Sequence, residues 1–219
     1  MNQELDEIED ILKNGLITDV FDAVRFYTVF NILTENSGKL NESEKNYRNF
    51  FSMTQRLTQN AAILSLSRVF DKPYSRKTRC IAYLLNRLKE LSTKLPEIEE
   101  KNRTIRTLEQ YNLPQKYKDA VRDSNTSKFP VEIAEYYEIK CLSNQSLKDF
   151  RDKFIAHNDI EGRITLKWEK FEELINLSKE IIEIIGVSYF GSNYAGAISR
   201  DAELNGLSIK IILNDLGVK

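Results

Sequence analysis

Arg151 and His157 are the residues whose types could perform acid–base chemistry on a phosphodiester, and His157 is the only histidine of the chain. Histidine takes up and releases a proton near neutrality at its ordinary pKa. Arginine stays charged and offers a fixed fork of donors to phosphate oxygens. Attack of a ribose 2′-hydroxyl on the adjacent phosphorus needs both functions, because two protons must move while an anionic phosphorane is stabilised.

The predicted helix 143–156 would position these two side chains. Its buried row has the spacing i, i+3, i+7, i+10 and consists of Leu147, Phe150, Phe154 and His157. Arg151 lies six positions before His157, about 9 Å along the axis and about 120° around it, so the pair shares no face of a straight helix. The long arginine arm and the nearby helix end still let the two converge. The alternative is a structural His157 that only faces the helix dipole or the edge of the core.

One histidine cannot easily act as both acid and base, so this chemistry predicts a two-fold dimer in which each copy supplies one. A metal site is not expected, because one histidine and the distant Cys80 and Cys141 cannot build a zinc cage. We expect the two cysteines to be buried free thiols. No cofactor is expected.

Charge is distributed unevenly along a chain of net charge −1. Residues 1–22 hold seven acidic residues and one basic residue, whereas residues 68–89 hold seven basic residues and one acidic residue. The basic stretch could attract a phosphate backbone. It could equally form a solvated face that pairs with the acidic N-terminal segment of the same chain.

Composition favours an all-α fold, because only 8 Gly and 4 Pro occur among 219 residues. Apolar periodicity predicts helices at 3–13, 18–35, 41–70, 75–94, 97–111, 114–124, 130–141, 143–156 and 165–185, with a short one near 200–216. Short turns between long helices indicate an up-and-down bundle. The helix 41–70 should turn inward a stripe made of Tyr47, Phe50, Phe51, Thr54, Leu57, Ala61, Leu64 and Val69.

Residues typical of helix starts and ends divide the chain into three predicted regions. Asn14–Gly15 should stop an acidic N-terminal helix, which gives a first region of residues 1–15. The bundle follows at 16–187, with Ser75 as a helix cap and a charged helical excursion at 96–130. Residues 188–219 are predicted to form a C-terminal tail with a short helix. Without a signal peptide or a membrane-spanning run, we expect a cytoplasmic protein.

The heptapeptide Arg151-Asp152-Lys153-Phe154-Ile155-Ala156-His157 resembles the Arg-polar-x4-His signature of HEPN domains, an α-helical family of RNA-cleaving toxins and defence effectors. Its abortive-infection subgroup is the most similar. The end of the long helix, residues 64–71, and the helix with Trp168 and Phe171 resemble that subgroup too. The resemblance covers about 18–186 and leaves out the acidic helix, the excursion and the tail.

The resemblance implies a HEPN-like four-helix core and a homodimer with two motifs facing each other in a cleft. It implies catalytic roles for Arg151 and His157, with Asp152 as the polar residue that orients the site. The supporting residues expected around them are Asn158, Arg68 and Asp71. Asn158 is seven residues from Arg151 and so shares its helical face. For Arg68 and Asp71 the alternative is an ion pair at the helix end.

The expected function is a metal-independent endoribonuclease of toxin or phage-defence type. The RNA-binding residues expected in the basic stretch are Lys72, Arg76, Lys77 and Arg79. The alternative is a non-catalytic HEPN-like dimer that binds RNA, a nucleotide or an antitoxin partner. A third reading is a scaffold dimer whose basic stretch only pairs with its own acidic N-terminus.

Overall fold

The computed structural model describes residues 3–42, 47–72, 78–123, 127–141 and 167–218. Within these ranges every regular element is helical, which confirms the all-α prediction. The helices are α1 Gln3–Ile11, α2 Ile17–Glu35, α3 Ser37–Glu42, α4 Arg48–Val69, α5 Ile81–Glu90, α6 Lys101–Gln110, α7 Gln115–Arg122, α8 Lys128–Cys141, α9 Trp168–Phe190 and α10 Tyr194–Asp215. None of these helices combines the length and apolarity needed to cross a membrane.

Helix α2 lies at the centre of the bundle, packed between α4 and α10 and touching α9. It buries side chains on more than one face, as a helix with several neighbours must. These are Ile17, Val20, Ala23, Val24, Tyr27, Phe30, Ile32 and Leu33. Helix α9 is enclosed even more fully, because all of residues 181–188 are buried. The main core therefore extends from α1 through α2 to α9.

The charged excursion forms the two helices expected there, α6 and α7. Helix α6 packs on α9, and α7 packs on α6 and α8. Leu108, Tyr117 and Val121 are at most 3% exposed and join the main core. A few apolar side chains thus hold this polar region against the bundle.

The helix stop predicted at Asn14–Gly15 is wrong. Residues Leu12–Leu16 form a π-helical turn that carries α1 directly into α2. A Cβ atom at Gly15 would lie only 2.3 Å from the Cβ of Arg79. Glycine is therefore needed here for the close approach of Arg79, and the backbone stays helical because the wider turn accommodates it.

We expect Gly15→Ala to lower the free energy of unfolding by up to about 2 kcal/mol. Overpacking costs about 1–3 kcal/mol, and the better helix propensity of alanine offsets only about 1 kcal/mol of it. Urea denaturation followed by circular dichroism measures the change. Gly38→Ala is the matched control, because a Cβ there meets nothing within 4 Å. A Gly15→Ala protein as stable as the Gly38→Ala protein would contradict the packing argument.

The inward stripe predicted for the long helix is wrong in part. Phe51 and Val69 are buried, but Phe50, Leu57 and Leu64 are 59%, 56% and 37% exposed. The buried row of α4 comprises Phe51, Ala62, Ile63, Leu66 and Val69. The helix carries two apolar rows, and packing against α2 covers only one of them.

Two further helix boundaries differ from the predictions. Helix α5 begins at Ile81 with Cys80 at its cap position, so the helix start expected at Ser75 is wrong; Ser75 itself lies outside the described residues. The short helix expected near 200–216 is the 22-residue α10, which packs along α2. Cys80 and Cys141 are free thiols as expected, with Cys80 buried and Cys141 partly buried.

Candidate functional site

The residues of the signature, Arg151, Asp152 and His157, lie outside the described residues, as does Asn158. The described chain reaches this segment at Cys141, the last residue of α8, and continues from Lys167, which directly precedes α9. The site can therefore be built from the two helix ends that bracket the signature and from the surfaces expected to support it.

The first turn of α9 is fixed to α2 by an aromatic cluster. The Trp168 ring centroid lies 5.5 Å from that of Tyr27 and 4.7 Å from that of Phe30. Phe171 is fully buried, 5.0 Å from the Tyr27 ring and 5.5 Å from the Trp168 ring. Such offset and edge contacts are favourable beyond simple burial. The chain therefore leaves the signature segment at a firmly anchored point.

Tyr27 also carries a polar link to this turn. Its hydroxyl donates to Glu172 Oε1 at 2.7 Å. Burial raises the pKa of Tyr27 to about 12, and the bond to the Glu172 carboxylate acts in the same direction. Tyr27 is thus a permanent donor at neutral pH, which suits a positioning role and not proton transfer.

The end of α8 is held to α9 by a second group of side chains. The Tyr137 hydroxyl donates to Glu180 Oε1 at 2.6 Å, and the Lys140 amine lies 3.3 Å from the same oxygen. Lys140 also lies 4.5 Å from the Tyr136 ring centroid, a cation–π distance. Of the two helix ends around the signature, the end of α8 is therefore anchored on α9, and the start of α9 is anchored on α2.

The basic stretch is largely engaged with the acidic N-terminal segment. Arg79 donates to both oxygens of Asp10, at 2.9 and 3.2 Å. Further along, Arg87 Nη2 lies 2.7 Å from Glu7 Oε2. The arginine hydrogen bond holds the pKa of Asp10 below its ordinary value. Intramolecular pairing, the alternative considered from the charge pattern, is thus what these arginines do.

The other residues expected around the site fall in different places. Arg68 forms its ion pair with Asp19 on α2, at 2.7 Å, and also donates to Ser65. The Asp71 carboxylate accepts the backbone N–H of the exposed Lys72 at 3.0 Å. Arg76 and Lys77 lie outside the described residues. Of the expected RNA-binding residues, Lys72 and Arg79 are therefore described, and only Arg79 is engaged in an ion pair.

Sequence reasoning missed the carboxylates of α9 that do the positioning. Glu172 and Glu180 bind tyrosines on α2 and α8, and Glu183 accepts the backbone N–H of Ala195 at 2.9 Å. Burial raises the pKa of Glu183, which caps the first turn of α10. The available signal was Glu183 itself, an acidic residue that interrupts the apolar run 181–187. A carboxylate in such a run has to find a donor.

The described residues contain no group of three His, Cys, Asp or Glu side chains that could hold a metal ion. In the comparisons with known proteins, no curated protein and no solved structure matched the chain. The AbiU2 family model of the HEPN type matches residues 5–203. This range includes Arg151 and His157.

The match is wider than the stretch 18–186 for which the resemblance was expected. It adds most of α1 and the first half of α10, and it spans the excursion 96–130. The expectation that the resemblance leaves out these regions is therefore wrong. The remainder of α10 from Leu204 onward is not matched. The chain belongs to the AbiU2 family, a HEPN-type abortive-infection family.

Proposed function

We propose that the protein is a metal-independent endoribonuclease of toxin or phage-defence type. The observation that carries the proposal is the family match over residues 5–203, which contains an arginine and a histidine at the spacing of the HEPN signature. HEPN families commonly act as ribonucleases. The two anchored helix ends around the signature support it, because a catalytic segment needs fixed attachment points.

The proposed reaction is attack of a ribose 2′-oxygen on the adjacent phosphorus. A new O2′–P bond forms and the P–O5′ bond breaks, which leaves a 2′,3′-cyclic phosphate and a 5′-hydroxyl. One His157 imidazole accepts the 2′-hydroxyl proton, and a second imidazolium donates a proton to the departing O5′. Arg151 stabilises the charge that develops on the phosphorane oxygens. Asp152 and Asn158 orient these groups.

The second imidazole would come from another copy of the chain, since His157 is the only histidine. A two-fold axis would place both signatures in one cleft, and each would supply one proton-transfer group. After each turnover the acid and the base have exchanged protonation states. A symmetric pair of histidines can therefore start the next cycle in either arrangement.

RNA would be held outside the cleft by Lys72, Arg76, Lys77 and Arg79. Arg79 already pairs with Asp10, so a phosphate would have to compete with a carboxylate for its guanidinium. Lys72 is exposed, and a phosphate would not have to displace a carboxylate in order to bind it. This surface should contribute modest, salt-sensitive affinity, while Arg151 contributes to both binding and chemistry.

The alternative is a non-catalytic HEPN-like dimer that binds RNA, a nucleotide or an antitoxin. Engagement of Arg79 and Arg87 with Asp10 and Glu7 favours the antitoxin-binding form of this alternative, because these ion pairs leave fewer cations available to bind RNA. The two functions differ in product chemistry. A binder retains RNA without shortening it, whereas the proposed enzyme produces new 2′,3′-cyclic phosphate ends.

The proposal is tested by incubating the purified protein with total RNA in the presence of EDTA. The expected result is cleavage at an undiminished rate, with products that polynucleotide kinase labels at their 5′ ends without prior dephosphorylation. A protein that leaves RNA intact in both EDTA and Mg²⁺ overturns the proposal. Products with 5′-phosphates would also overturn it, because they come from attack by water.

A further inference from the structure

Helix α10 exposes an apolar stripe that the bundle does not cover. Leu204, Leu207 and Ile211 are 57%, 56% and 52% exposed. Their spacing of i, i+3 and i+7 places them on one side of the helix. Isolated exposed leucines are ordinary, but a row at this spacing is the seam of helix-on-helix packing.

The opposite side of α10 is fixed to α2. Gly206 lets the helices approach so closely that a Cβ there would lie 3.1 Å from Thr28 Cγ2 and 3.3 Å from Ile32 Cδ1. Asp201 accepts two hydrogen bonds from Arg25 of α2. The stripe is therefore presented by a helix whose orientation is already set.

Two charged residues flank the stripe on one side. Glu203 and Lys210 are both exposed, seven residues apart, and neither has an ion-pair partner among the residues that the structure describes. Both line an open groove of about 540 Å³ between α10 and α2. They form a row of opposite charges next to the stripe.

We propose that α10 pairs with α10 of a second copy, antiparallel and across a two-fold axis. In the register that places Leu204 against the partner's Leu207, the symmetry also places Leu207 against the partner's Leu204. The same register brings Glu203 opposite the partner's Lys210, and Lys210 opposite the partner's Glu203. Ile211 then packs on the aliphatic stem of the partner's Arg200. The row is thus complementary to itself in charge and in apolar contact.

The second exposed stripe of the bundle does not fit another copy of itself. Phe50, Met53 and Leu57 of α4 are also about half exposed. The charged residues of α4, however, are Arg48, Arg56 and Arg68, with no acidic residue anywhere in the helix. Two α4 helices brought together would oppose like charges, so charge complementarity selects α10.

The α10 pairing rests on the proposed function in one respect. The two-histidine chemistry requires a second copy of the chain, and the pairing is the interface proposed for that dimer. It is measured without RNA, so the two can fail separately. A dimer that cuts no RNA removes the proposed function and keeps the pairing. An active enzyme that forms its dimer through another face removes the pairing and keeps the function.

The test is a charge-reversal set followed by sedimentation equilibrium at several protein concentrations. Glu203→Lys and Lys210→Glu should each raise the dimer Kd by about tenfold or more, because each change places like charges together twice per dimer. An equimolar mixture of the two variants should restore association, as should the double variant. In both, every Lys again faces a Glu.

Leu207→Glu should raise the dimer Kd by about a hundredfold, since it places a charge at the centre of the interface. Leu57→Glu is the matched control on α4, because Leu57 and Leu207 are both 56% exposed; it should leave the Kd unchanged. Circular dichroism verifies that all variants fold. A monomeric wild type, single variants that associate like wild type, or a mixture that fails to restore the dimer each overturns the pairing.

Discussion

The His157→Ala protein is expected to cut RNA about 10²–10⁴ times more slowly than the wild type, since that is the usual contribution of a positioned acid–base group. The loss should occur in EDTA and in Mg²⁺ alike. Binding of RNA should change little, because the proposed phosphate contacts come from other residues. Cleavage is measured as the initial rate on a labelled RNA, and RNA affinity by filter retention.

Subunit mixing sharpens this prediction. If one cleft needs two histidines, a dimer of one wild-type and one His157→Ala chain is inactive. With free exchange at equal amounts, about a quarter of all dimers are fully wild type, and activity should fall to about a quarter of that of the same total amount of wild-type protein. Activity of one half would mean that each histidine works alone. Full activity of the pure variant would exclude His157 from the chemistry and leave a structural role.

A Phe171→Ala substitution is expected to cost about 3–5 kcal/mol of unfolding free energy. Phe171 is fully buried between the rings of Tyr27 and Trp168. Its removal leaves a cavity between α2 and the first turn of α9, which two other rings cannot fill without losing their own contacts. For a chain of this length the Tm should fall by roughly 10 °C.

Thermal denaturation followed by circular dichroism measures the effect. Asn176→Ala, on the exposed side of the same helix, serves as the control and should stay within about 0.5 kcal/mol of the wild type. Phe171→Leu should retain much of the stability, because a leucine fills most of the space. A Phe171→Ala protein with wild-type Tm would show that the aromatic cluster does not anchor α9.

Local patterns along the chain were sufficient to predict most helices. The excursion helices α6 and α7 were expected at 97–111 and 114–124 and are found at Lys101–Gln110 and Gln115–Arg122. The start of α9 was expected near 165 and is found at Trp168. Apolar periodicity depends only on residues three and four apart, so it can be read without knowledge of the rest of the fold.

Gly15 shows where a prediction from neighbouring residues alone fails. Asn-Gly is typical of a helix end, yet the chain passes through it as a π-helical turn. The reason is Arg79, which is 64 positions away in sequence and touches the backbone at this point. The same holds for the basic stretch, whose pairing with Asp10, Glu7 and Asp19 depends on α1 and α2 lying beside it.

Taken by itself, the sequence determined the all-helical fold, the helical excursion, and the Arg151 and His157 spacing that identified the HEPN resemblance. All of these follow from residue types and from neighbours within about ten positions. Only the tertiary structure decided which apolar row of α4 is buried, that α10 is a full bundle helix, and that Glu172, Glu180 and Glu183 anchor their neighbours. A sequence can show that a helix has an apolar face, but which neighbour covers that face depends on contacts between distant segments.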